Sequence, residues 1–244
     1  MSVDFYTYTN SGSRKVNEDS FKIEKCEIGE VAVVCDGLGG HDCGEVASKM
    51  ACENFVKGFG QIKPEDLNNE IIHTLINAVN ENIIKHQEEN KKLSSMRTTV
   101  AGCVIDKEKI NYFNCGDSRF YFFSNGSLEC MTKDHSVPQM SVDLGEMSFD
   151  EIRFDADRNK LLKVLGLQMT GDAGTVYKPV QYKPGDAFLL CSDGFWEYVL
   201  EEEMEIDLSK AKSAKEWVDA MIIRLLLRMT SDNDNFTVVG GIIE

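Results

Sequence analysis

The sequence predicts an α+β fold in which two antiparallel sheets pack together and are flanked by segregated helices. Three observations lead there. Short apolar runs rich in Val, Phe and Leu come in clusters joined by tight turns, such as Asn125-Gly126 between Arg119–Phe123 and Leu128–Met131. Helical spacing occurs in separate blocks, whereas a doubly wound parallel sheet would alternate helix with strand. The 244 residues are 42% hydrophobic and 27% charged, which suits one soluble core.

The elements follow in order. Glu30–Cys35 (EVAVVC) reads as a buried strand stopped by Asp36-Gly37. Gly44–Phe59 carries apolar residues at 47, 51 and 55, a helical spacing. Pro64–Lys92 reads as one long helix, with Pro64 in its first turn and Leu67, Ile71, Leu75, Val79 and Ile83 recurring every four residues. His73 and His86 fall in it as ordinary surface residues. Strands follow at Val100–Ile105, Ile110–Cys115, Arg119–Phe123 and Leu128–Met131. Segment 136–157 has weak periodicity and reads as loop with about one helical turn. Asn159–Leu167 reads as a short apolar helix, Asp186–Cys191 as a strand, Ser213–Met229 as an amphipathic helix and Phe236–Ile243 as a closing strand.

Charge and composition exclude several classes. The 26 Lys+Arg against 41 Asp+Glu give a net charge of −15, contrary to what nucleic-acid binding requires. The same surplus predicts a preference for basic residues around any substrate group. No apolar stretch approaches the ~20 residues of a membrane helix. Met1–Asn10 has neither the basic nor the apolar region of a signal peptide, so a cytoplasmic location is the expectation, and a monomer is taken as the default. The eight cysteines include no Cys-x-x-Cys pair and read as buried thiols, not disulfides.

Four acidic spots stand at strand ends or in tight turns: Glu18-Asp19, Asp36-Gly37, Asp193-Gly194 and Asp234-Asn235. Taken singly, each Asp-Gly is an ordinary turn signal. Taken together, carboxylates projecting from strand ends would repel, by about 4 kcal/mol per pair at ~4 Å and an effective dielectric of ~20. Cations are the usual compensation, and an oxygen-only set suits magnesium or manganese over zinc. Gly37-Leu38-Gly39-Gly40 lacks the endings of the nucleotide-binding loops. Cys43 lacks an arginine six residues on, where Lys49 stands, so it is no phosphotyrosine-type nucleophile.

The order of the motifs adds what spacing alone does not. The chain resembles the type 2C (metal-dependent, PPM-type) serine/threonine protein phosphatases, in their bacterial form, nearly end to end. Gly12-Ser13-Arg14-Lys15-Val16-Asn17-Glu18-Asp19-Ser20 resembles the family's opening motif, and Val34-Cys35-Asp36-Gly37-Leu38-Gly39-Gly40-His41 running on to Gly44-Glu45-Val46-Ala47 its central one. Asn114-Cys115-Gly116-Asp117-Ser118-Arg119, Asp134-His135-Ser136 and the segment from Arg158-Asn159 to Leu165-Gly166 are similar to its internal motifs. Leu190-Cys191-Ser192-Asp193-Gly194-Phe195-Trp196-Glu197 and Asp234-Asn235-Phe236-Thr237-Val238-Val239 are similar to the last two.

The resemblance implies a four-layer α-β-β-α sandwich formed by residues 1–244 as a single catalytic domain, with a flap at about 137–157. It implies that Asp36 bridges two Mn2+ or Mg2+ ions, that Gly37 offers its carbonyl, and that Asp193 and Asp234 hold the first ion. Glu18 and Asp19 would support the second, and Asp117 with Asp193 a weaker third. Arg14 would bind the substrate phosphate with its planar fork of donors. The implied activity is hydrolysis of phosphoserine and phosphothreonine by in-line attack of a metal-bridging water, whose pKa falls from about 15.7 towards neutral. The implied partners are phosphoprotein substrates and a cognate Ser/Thr kinase. Eukaryotic members carry a histidine after the aspartate-glycine as the proposed acid, and here that position is Leu38. His41 is then a candidate acid or a supporting residue, and Asn235 a supporting one. His135 would fix hydrogen bonding near the flap. Arg97 stands where the family usually has glycine, and Phe154-Asp155-Ala156-Asp157 where His-Pro is common. The alternatives are a catalytically weak regulatory or binding module on the same fold, and a small-molecule phosphomonoesterase.

Overall fold

The structure, a computed structural model, describes residues 2–39 and 43–244. The chain opens with strands β1 (Val3–Asn10), β2 (Ser20–Cys26), β3 (Gly29–Cys35) and β4 (Gly37–Leu38), followed by helices α1 (Cys43–Phe59) and α2 (Asn69–Glu89). Five strands come next: β5 (Arg97–Thr98), β6 (Val100–Ile105), β7 (Lys109–Cys115), β8 (Arg119–Ser124) and β9 (Ser127–Met131). Helix α3 (Val137–Asp143) leads into β10 (Thr175–Val176), β11 (Val180–Gln181) and β12 (Ala187–Cys191). Helices α4 (Asp193–Trp196), α5 (Glu201–Lys210) and α6 (Ala214–Arg228) precede β13 (Phe236–Ile243).

One sheet runs β1-β13-β12-β8-β9 and the other β10-β7-β6-β3-β2, with β11 also on β7. Every pairing within them is antiparallel. Side-chain alternation then sorts the core. On β3, Ala32 and Val34 face the gap between the sheets, where they meet Phe120, Phe188 and Val239. Val31, Val33 and Cys35 face the other way, onto Ala47, Phe55 and Ile76 of α1 and α2. The second sheet is covered in the same manner: Phe123 and Leu189 pack against Trp217, Met221 and Leu225 of α6. The result is the four-layer α-β-β-α sandwich. Because β3 is buried on both faces, its sequence reads as a continuous apolar run and not as an alternation.

Several expectations are corrected. The long helix 64–92 is shorter. Pro64–Asp66 is a 3-10 turn, and α2 starts only where the Asn68 side chain accepts the Ile71 amide at 3.0 Å. Segment 136–157 holds more structure than a loop, with α3 capped by Ser136 and a 3-10 helix at Phe149–Phe154. Asn159–Leu167 forms no helix. Its apolar residues serve as β-bridge partners, Leu161 to Ser136 and Leu165 to Thr98. All eight cysteines are free thiols, most of them buried.

Candidate active site

The strand ends place the acidic residues together. Asp36 follows β3, Asp117 lies in the turn between β7 and β8, Asp193 follows β12, Asp234 precedes β13 and Glu18 precedes β2. These five, with Arg14, Gly37 and Asn235, line one cavity of about 370 Å³. Asp19 is buried beside it, and His41 lies outside the described residues.

Each carboxylate is aimed by backbone contacts. The Asp36 carbonyl accepts the Thr98 hydroxyl and the Thr99 amide, both at 2.8 Å, and its own amide donates to Thr99 Oγ1 at 3.0 Å. Backbone at 36–37 is thereby fixed while the Asp36 carboxylate stays available. Gly37 packs against two other backbones. A Cβ there would stand 2.2 Å from the Gly44 carbonyl oxygen and 2.6 Å from that of Glu18, so only glycine fits. The Glu18 carbonyl accepts the Gly37 amide at 3.2 Å and the Ser48 hydroxyl at 2.5 Å.

Asn235 staples the opposite wall. Its side-chain amide donates to the carbonyls of Ser11 (2.9 Å) and Val16 (3.0 Å), and its oxygen accepts the Glu18 amide at 2.8 Å. The loop that carries Arg14 is therefore tied to the start of β13. Arg14 Nη2 meets Asp234 Oδ2 at 2.8 Å.

Asp117 and Asp19 are held from behind. Trp196 Nε1 donates to the Asp117 carbonyl at 2.9 Å, and the Trp196 ring carries the Arg119 guanidinium 3.6 Å above its centroid. Arg119 in turn makes a buried bidentate pair with Asp134, at 2.8 and 2.7 Å. Arg153, from the 3-10 helix after α3, bonds the Trp196 carbonyl and Glu201 and so fastens that segment to α4. Ser192 donates to Asp19 Oδ2 at 2.7 Å and accepts the Thr237 amide at 2.9 Å. His135 closes the turn behind Asp117. Its Nδ1 accepts the Gly116 amide at 3.1 Å and its Nε2 meets Thr175 Oγ1 at 2.8 Å, which fixes a neutral tautomer.

The electrostatics are those of crowded buried acids. Burial first, and then the Asp193 charge, lift Asp36 well above the usual carboxylate range. Burial and the Asp117 charge do the same to Asp193. Burial pushes Asp19 up to about 6 and Asp117 up to about 7. Two oxygens in this cluster, Asp19 Oδ1 and Asp117 Oδ1, are buried without a hydrogen-bond partner. Orphaned acceptors and like charges held close are what cations relieve.

Among the described residues no three His, Cys, Asp or Glu side chains form a closed cage for an ion. The donors are nevertheless all oxygen, from carboxylates and the Gly37 carbonyl. Such a set fits a hard cation that keeps much of its water, as magnesium does. The cavity wall also includes Val16, Leu38, Asn159 and Leu161. Sequence reasoning assigned no site role to these four, nor to Thr98, Thr99, Ser192 and Trp196. All but Thr98 and Thr99 stand within the quoted motifs, and buried hydroxyls or an indole beside a strand end are the signal that marks Thr98, Thr99, Ser192 and Trp196.

Comparison with known proteins agrees with this construction. A sequence profile described as Protein phosphatase 2C matches residues 8–230. The chain belongs to that family, and it is a serine/threonine protein phosphatase of the bacterial, PPM type. It is 32% identical over 230 residues to the serine/threonine phosphatase stp of Listeria welshimeri serovar 6b, covering 93% of this chain and 90% of the relative. The crystal structure of Stp1 from Staphylococcus aureus superposes with a TM-score of 0.89 at 27% identity, over 100% of this chain and 96% of that one. The catalytic domain of PstP, solved in complex with two manganese ions, superposes with a TM-score of 0.82 at 25% identity over 99% of each chain.

Proposed function

We propose that this phosphatase removes phosphate from phosphoserine and phosphothreonine in proteins, using Mn2+ or Mg2+ ions held by its buried carboxylates. The observation that carries the reading is the convergence of five acidic side chains and Arg14 on one cavity. Asp36 would serve two ions, with the Gly37 carbonyl on one of them, and Asp193 and Asp234 would hold the first. Asp36, Glu18 and Asp19 would hold a second, and Asp117 with Asp193 a weaker third. The chemistry such ions supply when bound is acidification of water and neutralisation of phosphate charge.

The chain's own residues account for orientation. Arg14 sits half-exposed at the cavity wall, stapled there by Asn235, and Asp234 engages one end of its guanidinium. The remaining donors of the fork suit phosphate oxygens and would stabilise charge on them during in-line attack by water. No covalent phosphoenzyme is required. Val16, Leu38 and Leu161 offer an apolar wall for the carbon side of the phosphoresidue. Leu38 stands directly after Asp36-Gly37, so no histidine occupies that place. Residues 1–244 act as one catalytic domain, a cytoplasmic monomer opposing a Ser/Thr kinase. Segment 137–157 serves as its flap, a reading supported by Asn159 and Leu161, which follow it in the chain and line the cavity.

The test is direct. The protein hydrolyses a phosphothreonine peptide with manganese, and chelator stops it. Asp193→Asn lowers turnover on the order of 10²–10³-fold, as loss of one charge-stabilising group does, while circular dichroism stays native. Intact turnover in that variant rules out the ion-based reading. Turnover of small phosphate esters without phosphopeptides favours the phosphomonoesterase alternative.

A further inference from the structure

Residues 90–99 read NKKLSSMRTT, which places three cations and no acid in one stretch of a chain with net charge −15. Lys91 and Lys92 sit on a 3-10 turn, and Arg97 opens β5. All three are exposed and make no ion pair or side-chain hydrogen bond among the described residues. Their position is informative. β5 pairs with β4 in the register Gly37↔Thr98 and Leu38↔Arg97. Residues directly opposed on an antiparallel ladder project from the same face. Leu38 lines the catalytic cavity, and Arg97, opposite it on the ladder, stands next to that wall without itself lining it. The same short ribbon carries Asp36, whose carbonyl is bound by Thr98 and Thr99. With ~3.3 Å per residue along a strand and ~5 Å across, the Cα of Arg97 stands roughly 8 Å from that of Asp36. An extended peptide covers that distance in two to three residues.

Among the described residues the cavity itself offers one cation, Arg14. We propose that Arg97, supported by Lys91 and Lys92 of the same segment, docks an anionic side chain of the substrate, a carboxylate or a second phosphate, two or three residues from the phosphoresidue. This rests on the phosphopeptide reading above. Charge complementarity is the argument: an arginine fork pairs with carboxylate or phosphate, and no acid of the described chain has taken it. This segment works against the basic flanks that the overall charge alone predicts. Remote charges are screened beyond about 8 Å at physiological salt, whereas a contact pair is screened less. Local cations therefore decide on this side of the cavity.

The experiment measures kcat/KM for phosphothreonine peptides carrying Ala, Asp, Lys or a non-hydrolysable phosphonate analogue of phosphoserine at positions two and three on either side. Wild type favours Asp over Ala on one side, and the phosphonate more strongly. Arg97→Ala lowers the Asp-to-Ala ratio about two- to fivefold, the span of exposed ion pairs. Arg97→Lys retains part of it, Lys91→Ala with Lys92→Ala lowers it less, and Lys215→Ala on α6 leaves it unchanged. A phosphonate preference without an Asp preference assigns Arg97 to a second phosphate. A ratio of one in wild type for both anions, or ratios unaltered by Arg97→Ala, overturns the proposal. The same peptides bound to Asp193→Asn, read by fluorescence anisotropy, give the preference without turnover. If no phosphopeptide is hydrolysed the phosphatase reading fails separately, and equal affinities for Asp, phosphonate and Ala peptides in that binding series overturn this one.

Discussion

Single residues here are held by partners that the sequence places far away. His135 shows what this does to stability. Burial, and after it the Lys163 charge, lower its pKa from 6.5 to about 4. Between those values the unfolded chain binds a proton that the native chain refuses, so stability is complete above pH 6.5 and declines as pH falls towards 4. The full shift corresponds to at most ~3 kcal/mol. Urea midpoints measured from pH 7.5 to 4.5 should fall more steeply for wild type than for His135→Asn, which keeps an acceptor but no titrating ring. Parallel curves would show that His135 is not the group concerned. Of the site's residues, those in motifs were legible in sequence: Arg14, Asp36, Asp193 and Asp234 all reach the cavity as their order suggested. Thr99 and Ser192 were not legible as site residues, because a hydroxyl announces no partner until the fold brings one to it.

Elements were legible where one face or one period dominated. α1, α6, β3, β6 to β8, β12 and β13 fall close to their expected bounds. β1 did not stand out, since Phe5 packs between the sheets while Tyr6 and Tyr8 pack on the helical side, which blurs the alternation. α5 was hidden by its acids. Glu203 and Asp207 are matched by Arg224 and Arg228 of α6, a pairing that appears only in three dimensions. Asn159–Leu167 reads as a helix in sequence and forms bridges instead, because a run of apolar residues can serve either. The first sheet also depends on a glycine that no pattern marks. Gly241 of β13 pairs with Phe5 on one side and Phe188 on the other, and these two rings meet edge to face at 5.8 Å. A Cβ at Gly241 would lie 2.3 Å from the Phe188 ring. Gly241→Ala should therefore cost about 1–3 kcal/mol by overpacking. Thermal melts should show a drop of several degrees, at ~2–4 °C per kcal/mol for a chain of this size. An unchanged melting temperature would mean that the rings separate freely.

At the scale of the molecule, both sheets lend strand ends to one charged cavity, and its balance should govern stability. Asp19 and Asp117 have folded pKa values of about 6 and about 7, above the ordinary 3.8. Across that window the native ion-free chain holds more protons than the unfolded one, so its stability from these groups is full below 3.8 and is lost as pH rises through 6 to 7. On the metal-ion reading proposed above, a cation would take the place of the protons, and its stabilising increment would grow with pH. At manganese about a hundredfold over its Kd the increment is ~2.7 kcal/mol. Scanning fluorimetry on chelator-stripped protein should show a larger manganese-induced shift at pH 8 than at pH 5.5, and equal shifts would remove the carboxylates as its source. The staple made by Asn235 carries one more consequence, for the birth of the protein. Asn235 reaches back more than 200 residues to hold Ser11, Val16 and Glu18, and β13 slots between β1 and β12. A nascent chain still waiting for residues 234–243 has the Arg14 loop untethered, one carboxylate missing and two strands without their shared neighbour. The complete cavity therefore depends on residues 234–243 docking onto the first eighteen.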